Sequence, residues 1–154
     1  MRLTDVLDPS RIRVPLEGRS KTDVFRELLD LVPLPDAETR DAVLKAVVER
    51  ENTMSTGIGS GIALPHGIVD RRVPFSGVLG IADAPLPWEA SDGQPVSLVF
   101  LLVADRNEPG THIKALARIT RLLHREAFRK ALMDCRTPED ALRVIRDEEA
   151  RHKI

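Results

Sequence analysis

Tyrosine is absent from this chain of 154 residues, tryptophan occurs once, and aromatic residues make up 3% of the whole. So few rings exclude a base-stacking platform for single-stranded nucleic acid and leave the core to Leu, Ile, Val and Ala. Cysteine also occurs once, at Cys135, which rules out an internal disulfide and fits a reducing compartment. With no CxxC, no HExxH and no close pairing among the four histidines, no metal site is expected. Neither sign of charge dominates. There are 23 Lys and Arg against 24 Asp and Glu, a formal net charge of -1, so nothing electrostatic favours nucleic acid or an anionic membrane as the main partner. Long hydrophobic runs are missing too. The longest, Val96 to Ala104, is interrupted by Ser97 and is far too short to span a bilayer. The opening residues Met1-Arg2-Leu3-Thr4-Asp5 lack the apolar stretch of a signal peptide. A cytoplasmic protein with no direct membrane insertion is the expectation. The length suits one domain, expected over 1–154, with a core at about 5–146 and a charged, frayed tail at 147–154.

What is present reads as helices and strands intermixed. Ile12, Val14 and Leu16 alternate with polar residues, the pattern of a short half-buried strand. Ser20 is placed to cap a helix carrying Val24, Phe25, Leu28, Leu29 and Val32, which Pro33 and Pro35 stop. Asp36 is placed to cap a second helix that runs to about Glu51. Gly77 to Ala82 and Val96 to Ala104 read as strands, and the second is apolar without alternation, hence covered on both faces. Thr111 is the expected cap of a helix with Ile113, Leu116, Ala117, Thr120 and Leu123 as its buried stripe. Thr137-Pro138-Glu139-Asp140 is a strong helix start, with a hydroxyl cap, proline in the first turn and acids there. The fold class expected is α/β, a single layered domain with a mixed β-sheet flanked by α-helices.

One histidine stands out. His66 lies between Pro65 and Gly67, after the short apolar segment Ile62-Ala63-Leu64 and a stretch rich in Gly, Ser and Thr. Proline fixes its own φ and glycine lets the chain turn sharply or pass close to a ligand, so a histidine between them is held rigidly at a surface. Two readings stand on the residues alone: a loop histidine that packs or caps, and a reactive imidazole. Gly57-Ile58-Gly59-Ser60-Gly61-Ile62 does not fit GxGxxG, and no GK[ST] or GxSxG follows, so nucleotide binding and serine hydrolysis lack their motifs.

The surroundings of His66 carry a resemblance. Glu49-Arg50-Glu51, Ser55-Thr56-Gly57-Ile58-Gly59 and Gly61-Ile62-Ala63-Leu64-Pro65-His66-Gly67 closely resemble the active-site segment of the enzyme IIA family of the bacterial phosphotransferase system, in its fructose/mannitol and nitrogen-regulatory branch. Trp88 to Gly93, Val96 to Leu102 and Thr111 to Ala117 are similar to later segments of that family in the same order. Two departures, Ala104-Asp105 where many members carry proline and Ile113 where leucine commonly follows the second histidine, leave the His66 segment untouched.

The resemblance implies a histidine phosphocarrier that needs no cofactor. His66 would be phosphorylated by an HPr- or NPr-type phosphocarrier protein, with His112 as the second histidine and Arg50 as the active-site arginine. Ser55, Thr56 and Gly67 would bind the phosphoryl group. The onward partner would be a IIB protein in sugar uptake or a regulatory target protein, and the absence of a fused IIB cysteine domain or membrane segment leans toward regulation. Each supporting residue also has a plainer reading: Arg50 paired with Glu49 or Glu51, His112 as a helix cap, Ser55 and Thr56 as turn residues. Trp88 reads as packing, and His124 and His152 as exposed and idle.

Overall fold

In the computed structural model, which describes residues 2–152, the three N-caps expected of Ser20, Asp36 and Thr137 all form. Each side chain accepts from the backbone N–H three residues on, at 3.2, 2.7 and 3.1 Å. They open α1 (Lys21–Leu29), α2 (Ala37–Thr53) and α5 (Pro138–Arg151). Between α2 and α5 lie α3 (Pro109–Leu123) and α4 (Glu126–Met133).

The described residues form a mixed sheet of six strands. β1 (Ile12–Arg13), β5 (Ser76–Leu86) and β6 (Val96–Asp105) are adjacent, with β5 and β6 antiparallel. On the far edge of β6 two short strands lie end to end, both parallel to it. β3 (Ile62–Ala63) pairs Leu98 and Val99, and β4 (His66–Val69) pairs Leu102 to Asp105. β2 (Gly57–Gly59) completes the sheet beside β3.

The unalternating β6 is central, as its composition requires. Val99, Leu101 and Val103 face one cluster, with Phe25 and Leu28 of α1, Val43 and Val47 of α2, and Trp88. Leu98, Phe100 and Leu102 face the other, with α3, α4 and α5. A strand with both faces covered gains nothing from polar residues at alternate positions.

Three expectations are corrected. The short first strand covers only Ile12 and Arg13, although Leu16 still joins the sheet through its N–H to the Ile81 carbonyl at 2.9 Å. The helix expected from Thr111 starts at Pro109, whose fixed φ suits a first helical position, with Glu108 ahead of it making no side-chain cap. Its buried stripe is His112, Ala115, Ile119 and Leu122 with Leu123, so Ile113 is 62% exposed and His112 faces inward. Two stripes one residue apart have the same helical spacing, and a rule that counts histidine as polar picks the wrong one. The third correction is the tail. Asp147 to Arg151 continue α5, with Glu148 and Glu149 buried. Glu149 accepts from Leu3 N at 2.8 Å, Thr4 N at 3.2 Å and Arg118 Nε at 3.1 Å, and donors from distant sequence are what make a buried carboxylate tolerable. His152, expected to be idle, lies 3.1 Å from Glu148.

Candidate functional site

Pro65 separates β3 from β4 along one edge of β6. It has no N–H to give, but its carbonyl accepts from Leu102 N at 3.0 Å, so the chain breaks its strand and stays anchored. Just before the break, the Leu64 carbonyl lies 3.0 Å from His66 Nδ1. A carbonyl oxygen only accepts, so Nδ1 carries the proton in this contact. Nε2 then keeps its lone pair, the tautomer a nucleophilic imidazole needs.

Gly67 follows, and its role is spatial. A Cβ there would stand 2.8 Å from Val47 Cγ2 and 3.2 Å from the Val43 carbonyl, so only glycine lets α2 lie against β4. This close approach brings the end of α2, with Arg50 and Glu51, beside the histidine.

From the other face α3 delivers His112 in its first turn. The two imidazole centroids are 5.3 Å apart with the ring planes tilted by 48°. His112 is 7% exposed, and its Nδ1 is buried without a hydrogen-bond partner among the described residues. Leaving a buried polar atom unpaired in this way costs roughly 1–3 kcal/mol.

Both rings are held below the ordinary histidine range. Burial is the main cause at His66; the Arg50 charge lowers it further, while the Leu64 hydrogen bond and the Glu51 charge act the other way. At His112 burial leads again, with His66 adding to it. The site therefore keeps two neutral imidazoles at neutral pH. A consequence for stability follows from linkage. Below about pH 6.5 the unfolded chain takes up protons that these folded rings resist, so folding weakens as pH falls. Chemical denaturation across pH 5 to 8 should show that decline on the acid side, and His112→Gln should make it shallower; the same slope in both proteins would remove His112 from the account.

The other residues singled out in the sequence lie close by with varied duties. Arg50 Nη1 donates to the Met54 carbonyl at 2.7 Å, which leaves other N–H donors of its fork free, and it forms no ion pair among the described residues. The pairing with Glu49 or Glu51 that was its plainer reading does not form. Thr56 is buried, and its hydroxyl donates to Glu51 rather than to the open side of the site. Ser55 Oγ donates to the Trp88 carbonyl at 3.3 Å and accepts from Gly57 N at 3.2 Å. As arranged, the two hydroxyl protons are spent within the protein. Trp88 packs in the core with Phe25 edge-on at 5.8 Å, the packing role expected of it, and Cys135 is buried.

Glu51, which accepts from Thr56 and pairs with Lys21, was read in the sequence only as a neighbour of Arg50. Its signal was present, an acid next to the arginine of the matching segment, but a charged residue at a helix end is ordinarily solvated. Among the described residues three large apolar side chains are exposed: Met54 at 68%, Ile58 at 46% and Ile113 at 62%. Met54 and Ile113 adjoin Ser55 and His112 in the chain. Among the described residues no group of three or more His, Cys, Asp or Glu is arranged to hold a metal ion, and no helix is long and apolar enough to cross a membrane.

Comparison with known proteins bears on the family and the fold. Residues 5–148 match the family described as phosphoenolpyruvate-dependent sugar phosphotransferase system, EIIA 2. A nitrogen regulatory protein of Bradyrhizobium diazoefficiens is 34% identical over 145 residues, covering 94% of this chain and 95% of that protein. The fructose-specific EIIABC component of Bacillus subtilis is 32% identical over 146 residues, covering 94% of this chain but only 23% of that longer protein. The crystal structure of the nitrogen regulatory protein IIA-Ntr from Neisseria meningitidis superposes with a TM-score of 0.84 at 28% identity, covering 93% of this chain and 98% of that one. With its own match running through nearly the whole length, the chain belongs to the EIIA 2 family of the phosphoenolpyruvate-dependent sugar phosphotransferase system.

Proposed function

We propose that this protein is a histidine phosphocarrier, charged on His66 by an HPr- or NPr-type carrier, that acts as a nitrogen-regulatory-type switch. The observation that carries the reading is His66 itself: Nδ1 sits on the Leu64 carbonyl, Nε2 is free, and a second neutral imidazole stands 5.3 Å away between ring centres. In the transfer, the Nε2 lone pair forms a new N–P bond as the N–P bond to the donor histidine breaks. The donor imidazole leaves with the bonding electrons, and no metal or organic cofactor is needed.

The arriving group brings up to two negative charges and several acceptor oxygens. Arg50 suits those oxygens with its free donors, and the first turn of α3 adds the positive end of its dipole. His112 serves as the second imidazole at the phosphoryl group. Ser55 and Thr56 keep their hydroxyls on protein partners, and Gly67 gives α2 room to approach, so the phosphoryl oxygens do not depend on those hydroxyls. Met54 and Ile113, next in the chain to Ser55 and His112, add exposed apolar surface of the kind that partner proteins cover. Phosphorylation would place charge in the middle of that surface, enough to separate partners that prefer one form.

Coverage of 95% of a nitrogen regulatory relative supports the regulatory reading. The likeness to a fructose-specific component supports a second one, in which phosphate passes to the cysteine of a separate IIB protein during sugar uptake. Incubation with a phosphorylated HPr-type protein tests the shared claim. One acid-labile phosphoryl group should appear by intact-protein mass spectrometry and map to His66, and an unmodified mass would end the proposal. Subsequent loss of the label to added IIB protein would favour the transport reading.

A further inference from the structure

Glu51 follows Arg50 in the last turn of α2, and its side chain is only 3% exposed. A carboxylate that deep stays ionised only with partners. Its Oε2 accepts from Thr56 N at 2.8 Å and pairs with Lys21 Nζ at 3.2 Å, while Oε1 accepts from the Thr56 hydroxyl. Lys21 opens α1, and its ammonium lies 5.6 Å from the centre of the Trp88 ring. One carboxylate thus ties α1, the end of α2 and the 54–56 link into a unit. Arg50 leans on the same link through the Met54 carbonyl.

We propose that Glu51, with Lys21 as its counter-ion, is a positioning residue for phosphoryl acceptance at His66: it holds the link on which Arg50 rests and balances the field at the imidazole. The role rests on the carrier reading above. The charged groups that act on His66 are Arg50 and Glu51 from α2, with the neutral His112 facing it from α3. Arg50 alone would drain basicity from Nε2, and a bare Glu51 would repel an incoming phosphoryl group. Lys21 neutralises the outer side of Glu51, leaving enough negative charge to offset Arg50. Filling this place with apolar side chains is often as stable as a buried ion pair, so stability alone does not call for these charges.

Two isosteric variants separate charge from shape. In Glu51→Gln the amide oxygen still accepts from Thr56 N, but the charge is gone. In Lys21→Met the carboxylate remains and loses its cation. Titration of the His66 ring by NMR, on unphosphorylated protein, should move to lower pH in the first and to higher pH in the second. Opposite shifts are a signature that loosened packing does not produce. Glu51→Ala, which frees the link, should accept phosphate from an HPr-type donor roughly ten- to a hundredfold more slowly, the scale of a small misplacement near a reacting group. Titrations that stay put or move together overturn the field; a wild-type rate in a folded Glu51→Ala overturns the positioning. Wild-type protein that takes no label at all would defeat the carrier reading, and the titrations would still decide the role of Glu51. If Glu51→Ala does not fold, the two isosteric variants decide.

Discussion

His66→Ala is expected to leave the labelling reaction at its unmodified mass, a loss of more than roughly a thousandfold, the scale seen when a nucleophile is removed outright. The alternatives nearby are poor acceptors. His112 has a buried, unpartnered Nδ1 and sits behind the first ring, so it lacks the carbonyl that fixes the tautomer of His66. Ser55 and Thr56 have their hydroxyls engaged with Trp88 and Glu51. His124 is exposed but stands a full helix away from the pair, at the end of α3. His66→Ala should also fold, because the side chain is only half-buried and β4 keeps its pairing with β6 through the backbone. A variant that folds and still gains a phosphoryl group would move the nucleophile elsewhere.

Arg50→Ala is expected to slow transfer by about 10² to 10³, as when one preorganised donor to developing charge is removed. The guanidinium has a fork of donors of which only Nη1 is seen to be engaged, at the Met54 carbonyl, and it has no acid partner to release first. Arg50→Lys should recover part of the rate, since it restores the charge without the planar fork. The same Arg50→Ala protein should titrate His66 at higher pH than wild type, because the arginine charge is one of the causes holding that ring down. Rapid-quench transfer assays and an NMR titration read the two effects separately. An unchanged rate together with an unchanged titration would place Arg50 outside the site.

Much of the framework was legible because the residues that signal it act locally. The caps at Ser20, Asp36 and Thr137 form hydrogen bonds three residues ahead, within reach of a sequence pattern. Val96 to Ala104 announced its central place by apolar residues at every step but one. The resemblance around Leu64-Pro65-His66-Gly67 pointed to the residues that meet at the site, and His66 and His112, 46 positions apart, do meet. What escaped depended on partners far along the chain. The α3 stripe was displaced by one residue because helical periodicity does not separate adjacent stripes, and only the face of the sheet decides which is buried. Glu51 stood at a helix end and Glu149 in a frayed tail until donors from α1, the 54–56 link, the N-terminal turn and Arg118 came within hydrogen-bond reach.

The amino-acid order by itself determined the places where the chain must start, stop or bend: a proline that breaks a strand beside a histidine, and hydroxyls and carboxylates that begin helices. Those effects are steric or act over a few residues, so they need no tertiary partner. The folded arrangement decided which titratable groups lose water and which charges they face. That is a matter of distances between segments far apart in sequence, and it is what holds His66 below the ordinary histidine range, whereas the carbonyl that fixes its tautomer lies only two residues back.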